Sequence, residues 1–202
     1  IILFLVIFFA YRTYSDSFED ESMEIINTTK DCKKNMWIRI VPVIFYGILL
    51  TLIATLGTIG MTSSVVGFKA LKSSFKMISL FSFGNLTIGQ AIMIMVLAEI
   101  LGILALSTLM GYISFKTKKT TQAIGIGVSL SVFYMIGSKV TSLPAMKYLL
   151  NAIPMASSNA LQSMYGFSIA FGIWEPYAIM LEVSIVSILS TIALAINILP
   201  RH

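Results

Sequence analysis

Two carboxylates stand where the surrounding sequence is otherwise free of charge. Glu99 is the only charged residue between Thr87 and Ser114, and Glu182 is the only one between Pro176 and Pro200. An ionised side chain at the centre of a bilayer costs about 2.5–3.5 kcal/mol on insertion scales, so such groups face a bundle interior or water. Two roles fit them. They could line a polar translocation path, or they could be buried partners that hold helices together, for example Glu182 with Lys139.

Other chemistry is poorly supplied. The single histidine is His202 at the end of the chain, which removes H-E-x-x-H metalloprotease chemistry and any Ser–His dyad within an apolar segment. No Asp lies in an apolar stretch, and no cluster of Cys, His and carboxylate has metal-ligand spacing. Gly137-Ser138-Lys139 has the wrong order for a phosphate-binding loop and lacks the preceding glycine turn. The chain therefore has no catalytic constellation of its own, and no cofactor or metal is expected on it. Cys32 is the only cysteine, so no internal disulfide forms. The net charge of +5 comes without a basic stripe interleaved with aromatics, which argues against nucleic acid as a partner.

The elements that would position Glu99 and Glu182 are membrane spans. The chain has 202 residues, 57% hydrophobic and 11% charged, against about 25% charged in soluble domains. A bilayer core of about 30 Å needs about 20 apolar residues per helix. The charge-free runs predict an all-α, polytopic transmembrane helix bundle with complete spans at 38–60, 87–113, 121–139 and 175–199. Residues 1–11 are apolar but too few to cross, and read as the end of a truncated span.

Lys and Arg in the connecting segments set orientation. Segments 11–39, 114–120 and 200–202 carry Arg12, Lys30, Lys33, Lys34, Arg39, Lys116, Lys118, Lys119 and Arg201. The opposite segments carry Lys69, Lys72, Lys76, Lys139 and Lys147. The first set is expected to be cytoplasmic, with the C-terminal tail 200–202 inside. Segment 12–37 is the most polar and holds Asp16, Glu19, Asp20, Glu21, Glu24 and Asp31. Ser15, Asp16 or Ser17 suits a helix start, and Phe18, Ser22, Ile25 and Thr29 share a helical face, which predicts a short amphipathic helix. The outer segment 61–86 spaces Phe68, Leu71, Phe75 and Ile78 as an interfacial helix would. The outer segment 140–174, with Pro144 and Pro154, is too apolar for a free loop and too broken for a span, and is expected to dip partly into the protein. Ala98 with Gly102, Ser107 with Gly111, and Ala123, Gly127 and Ser131 are small-residue spacings that permit close helix approach.

Glu21-Ser-Met-Glu-Ile-Ile-Asn-Thr-Thr-Lys30, followed by Cys32-Lys33-Lys34 and Arg39, resembles a recurring stretch in bacterial permease subunits of ATP-binding-cassette (ABC) transporters of the type-2 exporter class. Met23, Ile25, Ile26, Thr29, Lys30, Lys33 and Arg39 match it, while Cys32 stands where a glycine is common. The later order is also similar: an amphipathic segment 68–84, a span, the basic loop Phe115–Lys119, a span, a Pro-containing segment and a final span.

The resemblance implies an exporter permease of a bacterial plasma membrane, of which this chain is a C-terminal fragment. Segment 12–37 would be its ATPase-coupling element, with Glu21, Met23, Ile25, Ile26, Thr29, Lys30 and Lys33 at the contact. It further implies a separate P-loop ATPase subunit that carries ATP and Mg, and a second permease copy or homologue as partners within the lipid bilayer. Two other readings stay open. One is an ion-gradient-driven secondary transporter using Glu99 and Glu182. The other is a non-transporting membrane scaffold or sensor subunit.

Overall fold

The computed structural model describes residues 2–21, 32–74, 87–140, 150, 153–159, 189 and 192. Among these residues the fold is all-helical, with no β-strand. In chain order the helices are α1 (Ile2–Ala10), α2 (Arg12–Glu19), α3 (Cys32–Val66), α4 (Ile88–Thr117) and α5 (Thr120–Val140). A 3-10 turn at Phe68–Lys72 follows α3, and a 3-10 helix at Pro154–Asn159 follows α5.

Three helices are long and apolar enough to cross a membrane: Ile38–Val66 within α3, α4 itself, and Thr120–Gly137 within α5. At 1.5 Å per residue the first two are roughly 43–45 Å long, well beyond a hydrocarbon core of about 30 Å. Of the four complete spans expected, three are present among the described residues. Stretch 175–199 lies outside them except for Leu189 and Ile192, which are helical and exposed.

Local sequence explains the helix ends. α3 runs past the expected limit at residue 60 because nothing before Gly67 interrupts it. Gly67 then takes φ 83° and ψ 152°, a region open to glycine, and its N–H donates to the Ser63 carbonyl at 2.9 Å. Only the first part of the expected interfacial helix lies among the described residues. Phe68 and Leu71 sit in the 3-10 turn, which ends on extended Ser73, and Phe75 and Ile78 lie outside the described residues. The Ser73 carbonyl accepts from the Ile88 N–H at 3.0 Å, and Ser74 bridges Thr87, so the chain is drawn back to the next helix. α4 opens on a reciprocal cap. Thr87 Oγ1 accepts from the Gln90 N–H at 3.3 Å, and Gln90 Oε1 accepts from the Thr87 N–H at 2.9 Å. It closes at Lys118, which has φ 57°.

The core lies around α4, whose apolar window is 39% buried against 17% for α3 and 22% for α5. Leu3, Val6, Ile7 and Ala10 of α1 pack against Ile103, Leu106 and Met110 of α4 and Tyr134 of α5. The small-residue stripe on α5 is buried, and a Cβ added at Gly127 would lie 2.7 Å from Ile7 Cγ2 and 2.8 Å from Met110 Cε. Gly102 has a different neighbour. Pro154, Met155, Ala156 and Ser157 are buried beside α4, and a Cβ on Gly102 would fall 1.8 Å from Ser157 Oγ. The 3-10 helix thus occupies the space that any larger residue at 102 would need.

Segment 12–37, expected to hold a short amphipathic helix, is described only at its two ends, 12–21 and 32–37. Its first helix, α2, begins at Arg12, so Ser15, Asp16 and Ser17 lie inside a helix rather than at its cap, and the N-cap position Tyr11 provides no side-chain bond. The helix stops at Glu19, and Glu21 adopts φ 57°. Phe18 lies in α2, and Ser22, Ile25 and Thr29, expected to share its face, lie outside the described residues.

Candidate functional site

The most connected polar cluster sits at the end of the bundle that carries Arg12, Arg39 and Lys116–Lys119. α2 lies across this basic end and is tied separately to α3, α4 and α5.

The tie to α4 is Ser114, which is fully buried, as is Ser15. The Ser15 N–H donates to Ser114 Oγ at 2.8 Å, and the Ser114 hydroxyl donates to the Tyr11 carbonyl at 2.8 Å. In an unbroken helix the Ser15 N–H would bond the Tyr11 carbonyl directly. Here the Ser114 hydroxyl bridges the two groups, while Tyr11 itself keeps helical dihedrals (φ −62°, ψ −30°) between α1 and α2.

The tie to α3 is Arg39, whose Nη1 donates to the Thr13 carbonyl at 3.0 Å and to the Ser17 hydroxyl. The tie to α5 is Glu19. Its Oε1 accepts from the Thr120 N–H at 2.8 Å, and both its oxygens accept from the Thr120 hydroxyl, at 2.8 and 3.0 Å. Lys118 and Lys119 precede α5 and have no side-chain acceptor for its first N–H groups. A carboxylate from α2 fills that role and matches the positive end of the helix dipole. Phe18 packs edge-on to Phe115 at 5.6 Å between centroids, and Lys118 Nζ lies 5.3 Å from the Phe18 ring centre. Arg12 and Asp16 approach to 3.9 Å, but both are solvent-exposed enough that the pair adds little.

The Thr120 N–H, then the Thr120 hydroxyl, hold the Glu19 carboxyl below its ordinary value, with smaller help from Arg12 and Lys119. A lowered folded-state value means that the contribution to stability is complete above the unfolded carboxylate range and is lost as pH falls through the folded value. Glu19→Ala should therefore lower the melting temperature in detergent at neutral pH, and the gap from wild type should narrow as the pH is taken down through the carboxylate range. A gap of equal size at neutral and acidic pH would show that the carboxylate charge is not what holds α5.

The residues singled out from sequence are dispersed. Glu21 is exposed just beyond α2. Met23, Ile25, Ile26, Thr29 and Lys30 lie outside the described residues, and Lys33 is in the first turn of α3. Glu99 is half-buried midway along α4, and Lys139 is exposed near the end of α5. Glu182 lies outside the described residues, so its pairing with Lys139 does too. Sequence reasoning passed over Glu19, Ser114 and Thr120 as site residues. One signal was available for Ser114: it continues the Ser107, Gly111 spacing along the same face of α4. Among the described residues no group of three His, Cys, Asp or Glu side chains could hold a metal. A shallow, largely apolar groove of about 750 Å³ runs along α5 past Gln122, Ile126, Ser129 and Phe133 to Ile153.

No protein-family model matches the chain, and no curated protein or solved structure matches it.

Proposed function

We propose that the chain is part of the membrane-spanning subunit of an ABC transporter of the type-2 exporter class. In this reading it moves substrate across a bacterial plasma membrane with energy from ATP hydrolysed on a separate subunit. The basic end of the bundle is cytoplasmic, and the C-terminal tail lies on the same side. A second permease copy or homologue completes the pathway, and ATP and Mg reside on the P-loop partner.

One observation supports this reading beyond the sequence resemblance. α2, the first part of the segment likened to a coupling element, is bonded at once to three helices of membrane-spanning length, through Arg39, Ser114 and Thr120. A permease without a nucleotide site must receive energy through a contact. Displacement of a short element tied to α3, α4 and α5 would be passed to all three. The exposed acids Glu19, Asp20 and Glu21 end α2 where the chain runs on into the proposed contact.

Purification of the intact protein from its native membrane tests the proposal. A P-loop ATPase is expected to come with it, and paired Ile25→Asp and Ile26→Asp substitutions should release that subunit while leaving insertion unchanged. If no ATPase accompanies the wild-type protein, the transporter assignment fails. If one does but the paired substitutions leave it bound, the coupling role of segment 12–37 fails.

A further inference from the structure

One face of α5 packs into the bundle and another is left open. Ala123, Gly127 and Ser131 are buried. Gln122, Gly125, Ile126, Ser129 and Phe133 are exposed, and with Leu130 they form one wall of the shallow groove along α5. Ile153 forms the other wall. It leads into the 3-10 helix seated on Gly102, the fifteenth of the 30 residues of α4, so this wall stands at mid-depth in the bundle.

The groove changes in chemistry along its length. At the basic end stand Lys118 and Lys119, both exposed, and then the amide of Gln122. From Gly125 to Phe133 the lining is apolar except for Ser129. Gln122 to Phe133 is about 16 Å of helix, close to the roughly 15 Å of hydrocarbon in one leaflet. The volume of about 750 Å³ falls within the range of about 300–1,000 Å³ usual for ligand sites. Cation, amide, then a leaflet's depth of apolar surface is the order of groups that a phospholipid would meet from phosphate through ester to chain. Charge favours an anionic headgroup. The carboxylate bonded to this end of α5 is Glu19, held by Thr120. Thr120 precedes Gln122 by about 200° around the helix, so Glu19 approaches from the side away from the groove. Lys116 adds a third exposed cation at the same end.

We propose that this groove is a binding site for one anionic phospholipid, with an acyl chain along Gly125, Ile126 and Phe133 and the phosphate at Lys118 and Lys119. The long apolar stem of each lysine stays near the membrane surface while its ammonium reaches the headgroup. The site needs α4 and α5 to lie in a membrane and does not depend on the transporter reading.

Native mass spectrometry of the full chain in detergent, titrated with dioleoyl phosphatidylglycerol or dioleoyl phosphatidylcholine, tests the assignment. One phosphatidylglycerol is expected to bind, about tenfold more tightly than phosphatidylcholine, the scale set by two lysines beside an anionic headgroup. Lys118→Gln with Lys119→Gln should erase that preference and leave phosphatidylcholine binding unchanged. Gly125→Leu should weaken both lipids severalfold. A Cβ at Gly125 meets nothing within 4 Å, so leucine enters the groove without displacing its neighbours. Ser129→Leu, at a second exposed lining position, is the parallel variant. Equal affinity for the two lipids in the wild type overturns the proposal. So does phosphatidylglycerol binding that survives both leucine variants, which would place the lipid on the lysines alone. Absence of any lipid adduct overturns it as well: a dimer in the spectrum would make the groove a contact between copies, and a monomer would leave it to another part of this chain.

Discussion

Gly102→Ala is expected to destabilise the bundle by about 1–3 kcal/mol, the usual range for overpacking a filled core. An alanine Cβ would stand 1.8 Å from Ser157 Oγ and 2.8 Å from Ser157 Cβ, with the Pro154 carbonyl oxygen at 3.2 Å behind them. No rotamer of Ser157 relieves both contacts, because its Cβ does not move with χ1. The 3-10 helix Pro154–Asn159 must shift, and it carries Met155 and Ala156 out of the core with it. Ser157→Gly removes both clashing atoms. It also loses the 2.7 Å bond from Ser157 Oγ to the Pro154 carbonyl, so alone it should cost a little. Together the two substitutions should be less harmful than their sum, a coupling that a double-mutant cycle on thermal unfolding in detergent would read. Strict additivity would mean that residues 102 and 157 do not meet.

Arg39→Ala should have the second large effect, a loss of about 1.5–3 kcal/mol for removing a charged donor from partly buried acceptors. Arg39 is half-buried, and Ser17, one of its acceptors, is buried. The Thr13 carbonyl and the Ser17 hydroxyl would lose a planar donor that reaches both at once. Both bonds leave a single nitrogen, Nη1, which the rigid guanidinium plane holds in place; Arg39→Lys should recover only part of the loss, since its ammonium sits on a shorter, flexible stem. Unfolding midpoints for the three proteins should fall in the order Arg, Lys, Ala. If the proposed transporter reading holds, ATPase co-purification should survive Arg39→Ala while substrate-stimulated ATPase activity falls. That separation would distinguish transmission from docking.

Apolar run length is a local property, and the sequence carried it well. The starts of α4 and α5 lie within a residue of the expected 87 and 121, because Thr87 and the charge-free run after Lys119 mark them. The end of α3 was placed too early, since nothing before Gly67 marks a stop and hydropathy alone does not locate one. Gly102 was legible as a small residue, but its smallness did not say which backbone approaches. The partner proved to be a 3-10 helix some 50 residues away, and not another span. The cluster at the basic end was least legible. Ser114 and Glu19 look like ordinary polar residues at helix ends, and their roles arise only when α2 is laid across α4 and α5. Periodicity suggested a short amphipathic helix across Phe18, Ser22, Ile25 and Thr29, and it could not register the turn after Glu19, where tertiary bonds to Thr120 take over.

The bonds that hold α2 also set an order of assembly. Ser15 and Ser114 are 99 residues apart, Glu19 and Thr120 are 101, and Tyr11 and Ser114 are 103. At a synthesis rate of about 5–20 residues per second, α2 leaves the ribosome roughly 5–20 s before its partners on α4 and α5 exist. During that interval the Ser15 N–H has no Ser114 hydroxyl to meet and Glu19 has no helix start to cap. Both ties form only once α4 and the start of α5 have been made. The docking of α2 is thus a late event in biogenesis, and a chain stalled before residue 114 would present α2 without the bonds that hold it in the finished protein.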